Sequence, residues 1–597
     1  MDERSRQWRA RALMMAAAVG FGVLAITLFT MQVVLHQDYA QLARENRQYS
    51  RRVLAPRGLI SDRSGVTLAH NVYQARITYP RNRVREDDPV LARLVGLLEL
   101  DRDALLEWVD RAPPGDRITL VRRATPRQIA VVEEHRVELP QVQLRVEPRR
   151  HYRKHPLANH PLAPHLVGYV GEVRRDETGR NSPYSAGDMI GRTGIEAFAE
   201  PLLRGEHGRK VVEVNASGHV VGELPGVHVP VVPGGHVYLT IHHALQSRLE
   251  ELLQDRVGAG AVVEIATGDV LAAASAPSID LNEFTGGISH ERAAQLRSDP
   301  RKPEFNRVFR GVYPPGSPFK LITAAAALER GLVDPEETFD PCYGRYRFGN
   351  RYFGCWKETG HGELDLEGAI VQSCDTYFYQ LVQRLTVDQL AETARRFGLG
   401  NDTGLESFHE QTGLVPDAGF FDARHGPRGW TDGVKLNLAI GQGELLVTPL
   451  QMARTFAAIG GDGYLYRPHV LLVTENAYGV RDARHVYRST QPVCSPRVRR
   501  FLQESMRSVV HDDLGTGGLA QVDGFEVAGK TGTSENPFGD HHAWFVAYAP
   551  ARNPEVAVAV IVENSGHGGE VAAPIVGEVL HEYFELQGAV ASDGEAR

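Results

Sequence analysis

Three short segments carry residues that could work on a carbonyl group. In Gly311-Val-Tyr-Pro-Pro-Gly-Ser317-Pro-Phe-Lys320 a serine and a lysine stand three residues apart. Pro314, Pro315 and Gly316 force a turn, and Pro318 suits the first helical position, where a missing N–H costs nothing. Phe319 to Arg330, rich in Ala and Leu, reads as a helix that Gly331 stops. That puts Ser317 at a helix N-terminus, where developing negative charge is favoured, and Lys320 one turn on along the same face. A serine hydroxyl is a poor nucleophile until a nearby base takes its proton. A lysine serves as that base only where burial or a neighbouring cation weakens its hold on its own proton. Phe319, Leu321, Ile322 and the alanine run supply the burial. The motif is short enough to arise by chance, but the chain holds seven lysines against 59 arginines, which makes this one harder to dismiss.

Ser373-Cys374-Asp375 follows 56 residues later between two apolar helical stretches, and Lys530-Thr531-Gly532-Thr533 ends a strand near the C-terminus. Taken singly, Ser317 and Ser373 are helix caps and Lys530 is a surface charge. A separate group is Cys342, Cys355, His361 and Cys374, all within 33 residues, with Cys494 far off. Three thiolates and an imidazole suit tetrahedral zinc, although the spacing is longer than in a zinc ribbon. A Cys342–Cys355 disulfide in an oxidising compartment and free buried thiols are the other two readings. The adjacent His541 and His542 suggest a metal site or a substrate-binding rim, but are better read as part of a solvated hairpin loop at the cleft edge.

The elements that must hold these residues come from the rest of the chain. Its 597 residues allow several domains. An apolar fraction of 42% and a charged fraction of 23% are those of a globular protein, and a net charge of −8 gives no general pull toward nucleic acid. Four cysteines are too few for a disulfide scaffold. Arg4, Arg6, Arg9 and Arg11 precede an uncharged, mostly apolar run from Ala12 to Met31, the length that crosses about 30 Å of hydrocarbon as a helix. The arginines place the N-terminus in the cytoplasm. With no convincing cleavage site after Met31, the segment reads as a retained single-pass anchor and not a signal peptide. The expected division is a cytoplasmic tail at 1–11, a transmembrane anchor at 12–34, a mixed α/β pedestal at 35–235 that opens as a polar helical stalk, a catalytic domain at 236–588 and a disordered tail at 589–597. The pedestal shows no nucleophile-and-base pair and reads as a spacer or interaction module. Pro233-Gly234-Gly235 marks the boundary. Beyond it, strands near 236–241, 259–265 and 270–274, a helical middle, and strands near 525–533, 543–548 and 556–562 before a last helix predict an α+β domain with an antiparallel sheet flanked by helices.

S-x-x-K, then a middle serine motif, then K-T-G, in this order within one domain, is the pattern of penicillin-binding proteins and class A β-lactamases. The chain resembles the class B penicillin-binding proteins, most closely the elongation-type penicillin-binding protein 2 group, over nearly its whole length beyond the anchor. Arg57-Gly58 with Asp62-Arg63-Ser-Gly65, the stretch Gly191 to Gly208, Val312 to Ser317, and Ile440-Gly-Gln-Gly443 with Thr448-Pro449 are similar to the family pattern. Asp375 stands where many relatives carry asparagine, a variant common in the elongation group. His242 stands where relatives often have aspartate.

The resemblance implies an elongated pedestal of the dimerisation type and a C-terminal, serine-β-lactamase-like transpeptidase domain. It implies a serine-type D-Ala-D-Ala transpeptidase or carboxypeptidase that cross-links peptidoglycan stem peptides during cell elongation and rod-shape maintenance. In that reading Ser317 attacks the penultimate D-Ala carbonyl, Lys320 is the general base, Ser373 relays a proton to the leaving amine, and Asp375 holds the network. Lys530, Thr531, Gly532 and Thr533 form the edge that binds the substrate's terminal carboxylate, and the backbone N–H groups of Ser317 and Thr533 form the oxyanion hole. β-Lactams acylate Ser317 and stall there. Some elongation-type relatives hold a zinc at positions matching Cys355, His361 and Cys374, with Cys342 completing the set here; such a metal stiffens the site without performing chemistry. The resemblance further implies the bacterial inner membrane, the bulk of the chain in the periplasm, and as partners a SEDS-type glycosyltransferase and other membrane proteins of the elongation machinery, with no nucleic acid. One rival is a β-lactam-hydrolysing or sensing protein of the same fold, for which no water-activating base is evident. The other is a scaffold whose chemistry has lapsed, against which the intact Ser317, Lys320, Ser373 and Lys530 argue.

Overall fold

The computed structural model describes residues 3–595 except 86, 112–116, 122, 140, 159, 180–181, 186, 215–219, 224–227, 407, 428 and 537–538. The N-terminal helix Glu3–Phe29 runs on through a π-helical turn, Thr30–Val34. Its span Gln7–Val34 is long and apolar enough to cross a membrane and contains the anchor expected at 12–34. Thr27 and Thr30 do not interrupt it, because their hydroxyls are satisfied by donating to the carbonyls of Val23 and Ile26 at 2.8 Å. Residues 1–2 of the expected cytoplasmic tail lie outside the described residues.

The chain divides into two compact units, and the division departs from the single boundary read at 235. The first unit comprises residues 1–55 and 205–233. Here the stalk is helical only over His36–Arg47; Gln48–Val53 is a strand pairing antiparallel with Gly208–Val214, which pairs in turn with Val220–Glu223. The pairing partner lies some 160 residues away, beyond any local pattern. The second unit comprises 56–204 and 234–597. Residues 56–204 join it through the backbone: His236–Leu239 pairs in parallel with Ile60–Ser61 on one side and antiparallel with Leu471–Glu475 on the other. One seven-stranded sheet therefore holds strands from both sides of the predicted boundary.

The family-like motifs of the pedestal meet in this unit. The buried Glu196 carboxylate accepts from Arg57 Nε and Arg150 Nε at 2.6 Å each, while Arg57 also reaches Glu200 at 2.6 Å and Arg150 donates to the Gly58 carbonyl at 2.6 Å. Burial alone would penalise the carboxylate, but the two guanidiniums hold Glu196 below its ordinary range. A buried charge is tolerated when it is paired and hydrogen-bonded in this way.

The catalytic part is built on strands β1 (Gly258–Glu264), β2 (Val270–Ala276), β3 (Ala528–Ser534), β4 (His542–Ala549) and β5 (Val556–Val562), in the antiparallel order β2-β1-β5-β4-β3. Alternation sorts β5 onto two faces. Val556, Val558, Val560 and Val562 pack with helices α1 (His243–Leu253) and α5 (Gly568–Glu595), whereas Ala557, Ala559 and Ile561 join the larger core with α2 (Lys320–Leu328) and α4 (Pro449–Gly460). Both faces are covered, so the central strands are apolar throughout. This is the α+β arrangement expected, with the shorter helix α3 (Asp375–Leu381) beside α2. The last helix passes the tail expected from 589 and reaches Glu595, since one glycine followed by Ala589 and Ala591 does not stop a helix; residues 596–597 lie outside the described residues.

Candidate active site

Ser317 opens a 3-10 turn, Ser317–Phe319, that feeds α2. The turn is held by two glycines packed back to back. Gly316 has φ 63° and donates its N–H to the Gly441 carbonyl at 2.9 Å. A Cβ on Gly441 would sit 2.1 Å from the Gly316 carbonyl oxygen, and one on Gly316 would sit 2.9 Å from that of Thr533. The Ser317 turn is thus pressed between the Gly441 loop and strand β3. Ser317 is half-buried, whereas Lys320 and Lys530 are fully buried.

The three motifs converge on one hydroxyl. Ser373, at the junction of helix Leu366–Val371 and α3, adopts φ 53°, a left-handed conformation that costs a non-glycine residue about 1–2 kcal/mol. The bend presents its carbonyl and its side chain to the same cations. Lys320 Nζ donates to the Ser373 carbonyl at 2.7 Å and to Ser373 Oγ at 3.2 Å, and pairs with Asp375 Oδ1 at 2.7 Å. Lys530 Nζ donates to the same Oγ at 3.0 Å and to the Thr531 carbonyl at 3.2 Å. Thr533, two residues along β3 from Thr531, flanks the Ser317 turn, with Gly532 between them. Every residue expected at the site is therefore in or beside this cluster.

Burial, reinforced by the charge of Lys320, pushes Lys530 well below the ordinary lysine range, and Asp375 offsets this only partly. Burial likewise raises the Asp375 carboxyl, against the pull of Lys320. Asp375 is anchored on its other oxygen by the backbone N–H of Trp356 at 3.0 Å, and the Trp356 indole donates to the Gln372 carbonyl at 3.0 Å. Two ammonium groups on one buried hydroxyl repel, which adds to the effect of burial in lowering Lys530.

Cys342, Cys355, His361 and Cys374 come together, with one donor atom from each lying within 4.8 Å of all the others. Cys342 Sγ and Cys355 Sγ each lie 3.6 Å from His361 Nδ1, the separation given by bonds of about 2.3 Å and 2.0 Å at a tetrahedral angle. All four cysteines of the chain are free thiols, so the disulfide reading is not the arrangement in the structure. Contact with Cys374 lowers Cys355, and the same contact raises Cys374. Thiols that cannot ionise together unaided are what a dication relieves, so the donor set fits zinc.

The comparisons with known proteins bear on this geometry. Residues 258–581 match the penicillin binding protein transpeptidase domain, and residues 52–239 match the penicillin-binding protein dimerisation domain. The peptidoglycan D,D-transpeptidase MrdA of Haemophilus influenzae is 33% identical, over 94% of this chain and 89% of its own. The chain belongs to the elongation-type penicillin-binding protein transpeptidases. Its activity is the acyl transfer that cross-links peptidoglycan in cell elongation. Among solved structures, the transpeptidase is similar to the penicillin-binding protein PBP2 from Helicobacter pylori in complex with MreC, with a TM-score of 0.78 at 26% identity over 90% of this chain and 99% of that one. It is also similar to a chain of a peptidoglycan synthase complex that coordinates polymerization and crosslinking, with a TM-score of 0.73 at 30% identity over 96% and 98%.

Sequence reasoning passed over several residues of the transpeptidase cleft. Thr516 Oγ1 lies 2.7 Å from Thr531 Oγ1, and Gln442 Nε2 donates to the Thr533 carbonyl at 3.1 Å. Gln442 falls in a motif noted only as family-like, and Thr516 is signalled only by its flanking Gly515 and Gly517, which let a loop approach the strand closely. His542 is no part of a solvated loop: it opens β4, half-buried and edge-on to Tyr313, with ring centroids 5.7 Å apart. Residues 537–538 of that hairpin lie outside the described residues.

Proposed function

We propose that Ser317 Oγ attacks the carbonyl carbon of the penultimate D-Ala, breaking its peptide bond and releasing the terminal D-Ala as the free amine. Lys320 takes the serine proton, a role worth about 10²–10⁴ in rate. Ser373 passes a proton to the leaving nitrogen, and Asp375 orients Lys320. An amine from a second stem peptide then attacks the acyl ester, forming the new peptide bond and returning the proton to Ser317. The convergence of Lys320 and Lys530 on Ser373 Oγ carries this reading. A substrate carboxylate arriving at Lys530, Thr531 and Thr533 favours the ammonium form of Lys530. The shared hydroxyl is the path by which that proton reaches it from Lys320, so substrate binding itself frees the base. The test is intact mass of the full chain in detergent after exposure to penicillin, beside Ser317→Ala. A stable adduct on the wild type alone supports the reading. An adduct that persists on Ser317→Ala, or one shed rapidly by hydrolysis, sinks it.

Cys342, Cys355, His361 and Cys374 would hold a zinc ion that fixes the loop on which Ser373 and Asp375 stand; the metal supplies rigidity and no chemistry. Purified protein is expected to carry about one zinc per chain, lost in Cys355→Ser together with thermal stability. A mass lowered by two hydrogens, with no metal, would establish a disulfide instead.

The anchor is read as spanning the inner membrane with the N-terminus in the cytoplasm and the remainder in the periplasm, as the N-terminal arginines favour. Partners are read as a SEDS-type polymerase and MreC-like scaffold proteins of the elongation machinery, a reading supported by the assemblies in which similar chains occur. Reversed protease accessibility in spheroplasts would overturn the orientation.

A further inference from the structure

At the sheet edge opposite Lys530, beside β2, lies a cavity of about 260 Å³. It is lined on one side by the end of α1, on another by the loop around His160, and on a third by residues 274–278. Glu250 projects into it from α1. One carboxyl oxygen, Oε1, accepts from the Ala163 N–H at 2.8 Å and from Gln246 Nε2 at 2.7 Å. The other, Oε2, is buried and has no partner, as is Ser278 Oγ across the cavity.

Neither orphan is explained by the fold. A buried carboxyl oxygen without a donor costs stability, and here nothing balances it. The nearest titratable ring, His160, stands 3.9 Å away, but its Nδ1 donates to the Pro161 carbonyl at 2.8 Å and burial keeps the imidazole from charging. Among the described residues, no lysine or arginine lines the cavity. Burial pushes the Glu250 carboxyl up to about 8, so an arriving cation would have to displace only a proton.

The chemistry of the lining selects among cations. A divalent metal wants six to eight oxygen ligands, whereas the lining offers two buried unpartnered oxygens and, at its exposed rim, the Asp255 carboxylate. Leu253, Ala274 and Ala276 give the cavity one apolar wall. We propose that this cavity is an effector site for a small organic ammonium ion, whose N–H groups donate to Glu250 Oε2 and Ser278 Oγ while its short carbon chain lies against Leu253, Ala274 and Ala276. At about 30 Å³ per water, the space corresponds to about nine waters and admits a short alkyl amine. The site holds no nucleophile next to a base, so it binds and does not react. Its occupant would tie the His160 loop, through Ala163 and Glu250, to the catalytic sheet.

The probe is n-butylammonium chloride added to the full chain in detergent, followed by thermal unfolding and titration calorimetry, with sodium chloride at equal ionic strength and magnesium chloride as comparisons. The expected result is a saturable rise in Tm with butylammonium only. Its affinity should fall at least tenfold in Glu250→Gln and about three- to tenfold in Ser278→Ala, the range of one lost hydrogen bond, with penicillin acylation of Ser317 unchanged in both. Ser278→Ala decides the matter if Glu250→Gln does not fold. An equal response in wild type and Ser278→Ala, the same rise with magnesium, or no rise with butylammonium would each overturn the proposal.

Discussion

Ser373 is the pivot of the site because one hydroxyl serves two buried amines, and its left-handed backbone is the strain that makes this reachable. The next contact out is Thr516, whose hydroxyl meets Thr531 of β3 at 2.7 Å, on the edge proposed to bind the substrate carboxylate. Thr516→Val keeps the shape and removes one neutral hydrogen bond, worth about 1 kcal/mol. The second-order rate of acylation by benzylpenicillin is expected to fall three- to tenfold, and Thr516→Ser to restore it to within about twofold. An unchanged rate in Thr516→Val would mean that Thr531 needs no support. Ser317, Lys320 and Lys530 were legible in the sequence because each motif is contiguous and its residue types are chemically distinctive. Thr516, Gln442 and the Trp356 N–H were not, because they act through contacts formed only when distant segments are brought together, and a backbone donor has no residue type to reveal it.

At the scale of elements, the Ser317 turn is held by backbone packing. Gly441 and Gly316 touch through main-chain atoms on both sides, so neither can yield to a Cβ at 2.1 Å. Gly441→Ala is therefore expected to displace the Ser317 turn and to reduce penicillin acylation by more than 10², as misplacement by about 1 Å can do. Gly443→Ala is the control. Its φ of 77° is equally left-handed, but its Cβ meets only the Asn437 side chain at 3.4 Å. It should cost about 1 kcal/mol of stability and leave acylation within a few-fold. Equal losses in the two variants would show that backbone strain, and not close packing on Gly316, governs the turn. The sheet and its helices could be read from alternation and periodicity, since β5 sorts its valines from its alanines residue by residue. The break at 233–234 falls at the marked Pro233-Gly234-Gly235, whereas the joining of residues 56–204 to the later unit could not be read, since the pairing of Ile60 and Ser61 with strand residues 237–238 is too short to carry a periodic signal.

At the scale of the whole molecule, two groups that hold one connecting segment, His165 on the segment and Glu250 on α1, make stability depend on pH in opposite senses. His165 Nε2 donates to the Pro303 carbonyl at 2.8 Å, and burial brings the imidazole from 6.5 down to about 4. Between those values the unfolded chain binds more protons than the folded one, so the stability present above pH 6.5 is lost as pH falls toward 4. Glu250, which accepts from Ala163 two residues before His165, is raised from 4.5 to about 8. Over that window the folded chain holds the extra proton, so stability is lost as pH rises. Each slope is on the order of 1 kcal/mol per pH unit. From pH 4.5 to 6.5 the two oppose each other, and from 6.5 to 8 only the Glu250 slope remains. Relative to wild type, Glu250→Gln is expected to unmask a rise in Tm from pH 4.5 to 6.5 and to remove the decline above 6.5. His165→Gln, whose amide can still donate to Pro303, should instead decline through the whole span from 4.5 to 8. Tm of the full chain in detergent, measured every half unit for the three proteins, checks both differences. Parallel profiles would mean that these two side chains are wet in solution and that the segment from 153 to 167 is not held by them.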